Sequence, residues 1–412
     1  MAMSTECPCP AELNITTNGT LSTTQGDVWG SKNNLDLGKD EILKGFIEFQ
    51  VAIAIDNYYV PVCSSLGILG NMWSFVTLLS PALRRSTTCQ YMAAIAIADS
   101  MILVYNILFL IRKFPGYEIF NPWSCRLLFF LFYFTIHFDV AVMIAMTFEK
   151  YMAVRFPLHA ASWKPRTKLI MCIIAICTCA LDAHNFFTRG MVYDPKTQTE
   201  TCYPTGPENK YFLFQIWPWI DACVYCFIPM TSLFVMNILI IVWLNKSEKI
   251  RQGMGNAQMT VRFAPTKPVS SSASTSSTSS GEIGKSQEVD LVKRNRNREG
   301  QITRMLLLVS FTFLLLVGPM AVLIIVERQF DLASTPHQAA IYHLVRTVIN
   351  NLMYTNHSLN FLLYCFSAKR FRQASLATLC FCRRGMRHAR RGTTLPLKST
   401  ATRSVSVSSI TT

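Results

Sequence analysis

Seven apolar runs, separated by short polar connections, limit what this chain can fold into more than any other feature. They lie near Tyr58–Leu79, Cys89–Ile111, Cys125–Val154, Lys168–Phe187, Phe212–Leu244, Ile302–Val326 and Ala340–Phe366. A helix of about 20 apolar residues crosses a bilayer core of about 30 Å. In lipid only helices and closed barrels satisfy every backbone group, and these runs are too continuous for barrel strands. Charged residues make up only 15% of the chain, against about 25% in soluble domains. The expected fold is an all-α membrane protein, a seven-helix bundle over 51–366. The fourth and seventh runs carry the most polar residues.

Lysine and arginine set the orientation. Arg84 and Arg85 follow the first run, and Arg155, Lys164, Arg166 and Lys168 follow the third. The connection from Lys246 to Arg304 and the tail from Lys369 to Arg403 are strongly basic. All four lie on one side, which the positive-inside bias makes cytoplasmic. Residues 1–50 then form an extracellular tail, with the chain in the plasma membrane. Its sequons at Asn14 and Asn18 are expected to be glycosylated. The tail has no apolar core segment, so the first span is expected to act as the insertion signal.

The net charge of +15 raises the question of nucleic acid. The basic cluster Lys293, Arg294, Arg296 and Arg298 flanks a span and has no aromatic stacking platform. Anionic lipid or an acidic cytosolic partner suits it better, and no nucleic-acid partner is expected. The third inner loop, 247–300, carries "SSSASTSSTSSGE", and the tail 380–412 ends in a Ser/Thr-rich stretch. Neither composition can bury a core, so both are expected to be disordered. Between them, 367–379 places Phe371, Leu376 and Leu379 on one helical face as a short amphipathic helix. Cys380 and Cys382 at its end are palmitoylation candidates. Cys125 and Cys202 both fall outside, in an oxidising compartment where a bridge is available to them.

Several motifs occur in chain order: "GILGNMWSFVTLLS", "AAIAIADS", Trp123 with Cys125, "EKYMAVRFPLH", Phe227-Ile228-Pro229, Phe313 with Pro319, and "NFLLYCFSAKRFR". Together they resemble the rhodopsin-like (class A) G-protein-coupled receptors, over nearly all of residues 50–380. The sub-pattern around spans one, two and seven is similar to invertebrate neuropeptide receptors of the FMRFamide-receptor type and to thyrotropin-releasing-hormone receptors. The resemblance implies a Cys125–Cys202 disulfide, an extracellular peptide ligand, a heterotrimeric G protein and arrestin at the phosphorylated Ser/Thr stretches. No enzymatic activity is expected. No nucleotide loop, no metal-spaced His/Cys set and no internal repeat of spans is present.

The resemblance also assigns residues. Asp99 is a mid-membrane carboxylate, where ionisable groups are costly and functional. It is expected to share a polar core with Asn71 and Asn360, around a site that can hold sodium. Asp139, on span three, faces the same cavity, and Asn356 and His357 are further candidates. Two carboxylates there repel, so one is protonated or a cation bridges them. Glu149, Lys150 and Tyr151, with Tyr364, form the coupling device. Lysine keeps the charge but loses the planar fork of the usual arginine. Val317 replaces the usual tryptophan of span six, and Phe361 the usual proline of span seven. These departures motivate an alternative: a receptor that binds ligand without activating a G protein, as a scavenger or scaffold.

Span seven has no lysine for retinal, and Phe132 stands where amine receptors need an aspartate. The ligand site is expected in the outer half of the bundle, from Tyr105, Phe132, Tyr133, Gln215, Trp217, Glu327 and His343. Phe109, His184, Phe187, Trp219 and Asp221 are secondary candidates. The aromatic majority suits an amidated, aromatic-bearing peptide.

Overall fold

The computed structural model describes residues 42–111, 119–156, 166–194, 199–262, 280–330 and 332–392. Asn14, Asn18 and the Ser/Thr stretches at 270–279 and 399–412 lie outside them, as does the side chain of Cys382.

Seven long helices follow one another: α1 (Ile47–Leu78), α2 (Thr87–Ile111), α3 (Pro122–Arg155), α4 (Thr167–Asp182), α5 (Gly206–Arg262), α6 (Ser280–Gln329) and α7 (Pro336–Ser367). An eighth, α8 (Lys369–Gly392), runs on from α7. The first six carry stretches apolar enough to cross a membrane. α7 lacks such a stretch and buries Asn351, Asn356, His357 and Asn360.

Local sequence explains where the helices start and bend. Asn121 caps α3 by accepting from the amides of Trp123 and Ser124 at 3.0 and 2.9 Å, while Ser124 Oγ accepts the Asn121 amide at 2.7 Å. Thr335 and Gln338 make the same reciprocal box at the start of α7. Pro122 and Pro336 each occupy the first turn, where a missing N–H costs nothing. Prolines inside helices act differently. Pro218 and Pro229 remove N–H groups from the ladder of α5, and wider π turns stand beside them at Phe212–Ile216 and Ala222–Phe227. Pro319 sits inside α6.

The described helices run past two expected boundaries. The loop 247–300 is not irregular throughout: α5 continues to Arg262 and α6 begins at Ser280, because no proline interrupts either extension. The amphipathic helix does not end at 379 but reaches Gly392, four residues short of Pro396. The bundle is all-α as expected, with one small addition in a connection among the described residues. Strands β1 (Arg189–Asp194) and β2 (Thr199–Pro204) form an antiparallel hairpin between α4 and α5, with Met191 opposite Cys202.

The Cys125–Cys202 disulfide is present, with the Cα atoms 5.5 Å apart, and it pins β2 to the head of α3. Arg126 Nε donates to the Arg189 carbonyl at 3.1 Å, and the Arg189 guanidinium lies 4.0 Å from the Phe129 ring. The hairpin is thereby anchored to α3 on both strands. At the opposite end, Phe371 of α8 is fully buried against Tyr364 and Phe361. Trp73 Nε1 donates to Ser375 Oγ at 2.7 Å, tying α8 to α1.

Close helix approach rests on two glycines of α1. A Cβ on Gly67 would lie 2.6 Å from Leu103 Cδ1 of α2 and from Ser358 Oγ of α7. A Cβ on Gly70 would lie 3.0 Å from Phe361 Cβ. Phe361 is thus accommodated in span seven by the absence of a side chain on α1.

Candidate functional site

Three groups of functional side chains lie along the bundle. The first is buried at mid-depth. Asp139 is 14 residues from Cys125 on α3, about 21 Å along the axis at 1.5 Å per residue. Asp99, Asp139, Asn71, His357 and Asn360 are all buried there. The ring nitrogen Nδ1 of His357 is 2.7 Å from Asp99 Oδ1 and 3.7 Å from Asp139 Oδ2. Asn360 Nδ2 donates to Asp99 Oδ2 at 2.5 Å, and Asn71 Nδ2 donates to the His357 carbonyl at 2.8 Å. The polar core expected from the sequence is assembled, with one refinement. Asn356 is buried nearby, but it is His357 that reaches Asp99.

The second group lies nearer the hairpin, and sequence reasoning missed most of it. His137 of α3 is buried with both ring nitrogens engaged. Nδ1 is 3.0 Å from each oxygen of Asp182 at the end of α4, and Nε2 is 3.1 Å from Asp221 Oδ1 of α5. An ionised carboxylate only accepts, so an imidazole facing one on each side donates twice and carries a positive charge. The bridge fastens α3, α4 and α5 together. A signal was available: a histidine and an aspartate inside apolar runs, where ionisable groups are rarely without a role.

Around this bridge the aromatic candidates divide. Tyr133 meets Phe132 at 5.6 Å and Trp217 at 5.5 Å between ring centroids, and Trp217 contacts His184 at 3.9 Å. Tyr105 and Phe109 both pack edge-on against Phe132. These form one continuous aromatic floor below the hairpin. A polar wall stands on α6 and α7: the Tyr342 hydroxyl donates to Glu327 Oε1 at 2.6 Å, and Arg346 lies 2.9 Å from that hydroxyl and 3.9 Å from Glu327. Tyr342 and Arg346 were not anticipated. His343 contacts Phe49 of α1 at 4.8 Å, on another side of α7. Gln215, Phe187 and Trp219 are surface residues, Phe187 with 78% of its area exposed. The structure does not bring these three to the floor, because they fall on the outward side of their turns.

The third group is at the end away from the hairpin. Glu149, ten residues after Asp139, is about 15 Å further along α3. Its Oε2 is buried without a hydrogen bond, and its electrostatic neighbour is the Tyr91 hydroxyl of α2. Tyr364 is fully buried, its ring 5.5 Å from Phe371. Glu149, Lys150 and Tyr151 occupy the last two turns of α3. Val317 is fully buried in the core on α6, in the same packed cluster as Phe313. Cys380, near the middle of α8, is exposed.

Residues 70–364, more than two thirds of the chain, match the family described as 7 transmembrane receptor (rhodopsin family). Among curated proteins, a probable G-protein coupled receptor of Caenorhabditis elegans is 26% identical over 48% of this chain and 49% of its own length. The human growth hormone secretagogue receptor type 1 is 27% identical over 42% of this chain and 49% of its own. The bovine somatostatin receptor type 5 is 23% identical over 80% of this chain and 77% of its own. The chain spans about half the length of the first two of these relatives.

Proposed function

The chain belongs to the rhodopsin family of seven-transmembrane receptors, a non-enzymatic class, and on that premise we propose that it binds an extracellular peptide and passes the event to a heterotrimeric G protein. The observation that carries this reading is the contrast between the ends of one bundle. A disulfide-pinned hairpin overlies an aromatic floor at one end, and the Glu149-Lys150-Tyr151 turn closes α3 at the other. Relatives named as receptors for growth hormone secretagogue and for somatostatin support the peptide class.

In this reading the N-terminus is extracellular, Asn14 and Asn18 carry glycans, and Cys380 and Cys382 anchor α8 to lipid. The Ser/Thr stretches recruit arrestin once phosphorylated. Tyr105, Phe132, Tyr133 and Trp217 receive the aromatic groups of the peptide, and Glu327, held by Tyr342 and Arg346, presents a polar contact. Pro319 gives α6 a bend about which its inner half swings. Lys150, released from its resting contacts, donates to carbonyls of the G protein.

A second reading, ligand capture without signalling, is favoured by Lys150, Val317 and Phe361 standing where the usual arginine, tryptophan and proline do. Screening an amidated-peptide library on cells expressing the full chain, with calcium and cyclic-nucleotide readouts, separates the two. The receptor reading expects peptides whose response needs the Cys125–Cys202 bridge. A peptide shown to bind, with no nucleotide exchange in either wild type or Lys150→Arg, leaves only capture.

A further inference from the structure

Asp99 of α2, Asp139 of α3 and His357 of α7 each offer one ligand atom, and the three atoms lie within 4.8 Å of one another. All three residues are fully buried. Both oxygens of Asp139 are without a hydrogen-bond partner, as are His357 Nε2 and Asn71 Oδ1. A buried carboxylate with neither oxygen hydrogen-bonded is strongly unfavourable, and Asp139 sits in that state beside a second carboxylate and an imidazole, which calls for something that satisfies it.

Charge and donor chemistry define what that is. Two carboxylates and a neutral imidazole bring two negative charges, which one divalent cation neutralises. Calcium and magnesium favour oxygen-only shells, whereas imidazole combined with carboxylate suits zinc and its neighbours. The sodium ion that the family resemblance suggested for Asp99 fits less well. It would neutralise one charge of two and leave the imidazole nitrogen unused. The spacing is also suitable. Metal bonds of about 2.0–2.2 Å give ligand-to-ligand edges of about 3.0–3.5 Å, and His357 Nδ1 lies 2.7 and 3.7 Å from the two carboxylates. With all three ligand atoms within 4.8 Å of one another, side-chain adjustment brings them onto one ion. The surrounding shell is present: Asn360 holds the far oxygen of Asp99, and Asn71 fixes the backbone of His357.

The geometry points to a site for one divalent transition-metal ion of the zinc class, held by Asp99, Asp139 and His357. Such an ion ties α2, α3 and α7 together at mid-depth.

The test uses the purified full-length chain in detergent micelles, stripped with chelator and then given Zn²⁺ or Co²⁺ alone. The expected results are one tightly bound ion per chain and a Co²⁺ form showing paramagnetically shifted resonances of a single imidazole. Asp139→Asn and His357→Gln should each weaken Zn²⁺ binding at least about 10-fold, and Zn²⁺ should raise the melting temperature of wild type but of neither variant. Zn²⁺ bound equally by Asp139→Asn overturns the assignment. So does a melting temperature raised by sodium chloride and untouched by Zn²⁺. A wild-type Co²⁺ form lacking the shifted imidazole overturns it whether or not the variants fold. Because the readout is metal on the protein, its failure is distinct from failure to find a peptide or a G protein.

Discussion

Two buried clusters of acid and histidine occupy neighbouring levels of α3, and they are built to opposite specifications. His137 donates to Asp182 on one side and to Asp221 on the other, so each carboxylate in that cluster meets a donor. Asp139, two residues later, has neither oxygen hydrogen-bonded. Two residues on a helix are about 200° apart around its axis. His137 therefore faces α4 and α5, while Asp139 faces α2 and α7. The first cluster is closed within the protein and acts as a brace. The second is incomplete, and incompleteness in a buried polar network is where a ligand, a proton or a change of state enters.

The contrast is broken most sharply by removing the charge that each cluster turns on. His137→Leu leaves Asp182 and Asp221 facing a hydrocarbon. Breaking a buried ionic pair by deleting one partner costs about 3–5 kcal/mol, so thermal unfolding in micelles should fall by about 10 °C or the chain should fail to accumulate. Asp139→Asn should move the other way. In chelated buffer it removes a carboxylate with neither oxygen hydrogen-bonded and provides an amide able to donate toward Asp99. A gain of about 1–3 kcal/mol is expected, read as a higher melting temperature of the metal-free protein. A loss of stability on that substitution would mean that Asp139 is satisfied by the protein itself.

What the sequence made legible follows the same division. Runs of apolar residues mark the helices, and motifs at fixed places mark Asp99, Glu149 and the disulfide pair. The His137 bridge was hidden because its three members come from three helices, 45 and 84 residues apart from His137. No spacing within one helix records that they meet. The hairpin was hidden for a related reason: β1 and β2 are six residues each and pair as strands with each other, and their anchors are the disulfide and the Arg126 and Arg189 contacts to α3, not their own pattern. Gln215 and Trp219 are exposed along the part of α5 where π turns rotate the helix face away from a regular 3.6-residue period, a departure that no spacing in the sequence records. Helix extension past the membrane at 247–262 and 280–300 was missed because low-complexity serine stretches colour the whole segment as loop.

A gentler perturbation reaches the open cluster without touching the closed one. Gly67 lets α1 approach Leu103 and Ser358, and Ser358 follows His357 on α7. A methyl group at 2.6 Å from both must push α7 away, which overpacking data place at about 1–3 kcal/mol. Gly67→Ala should therefore lower the melting temperature and weaken Zn²⁺ binding together. The His137 bridge, on the far side of α3, should retain its protection of backbone amides in hydrogen exchange. Exchange rising equally at both clusters would show that they form one cooperative unit.

The smallest effect separates positioning from charge. Asn71 donates to the carbonyl of His357, an oxygen that also accepts along α7, so Asn71→Ala removes one bond without orphaning its partner. A loss of about 0.5–1.5 kcal/mol is expected. The informative quantity is its coupling to the other substitutions. Residues that share a partner deviate from additivity by about 0.5–3 kcal/mol, whereas remote ones add. Asn71→Ala combined with Asp139→Asn should be non-additive, because both act on the placement of His357 between the two carboxylates. Combined with His137→Leu it should be additive. If the bridge variant couples to Asn71 as strongly as the Asp139 variant does, then α3 transmits strain between its two faces, and the closed and open clusters are a single device.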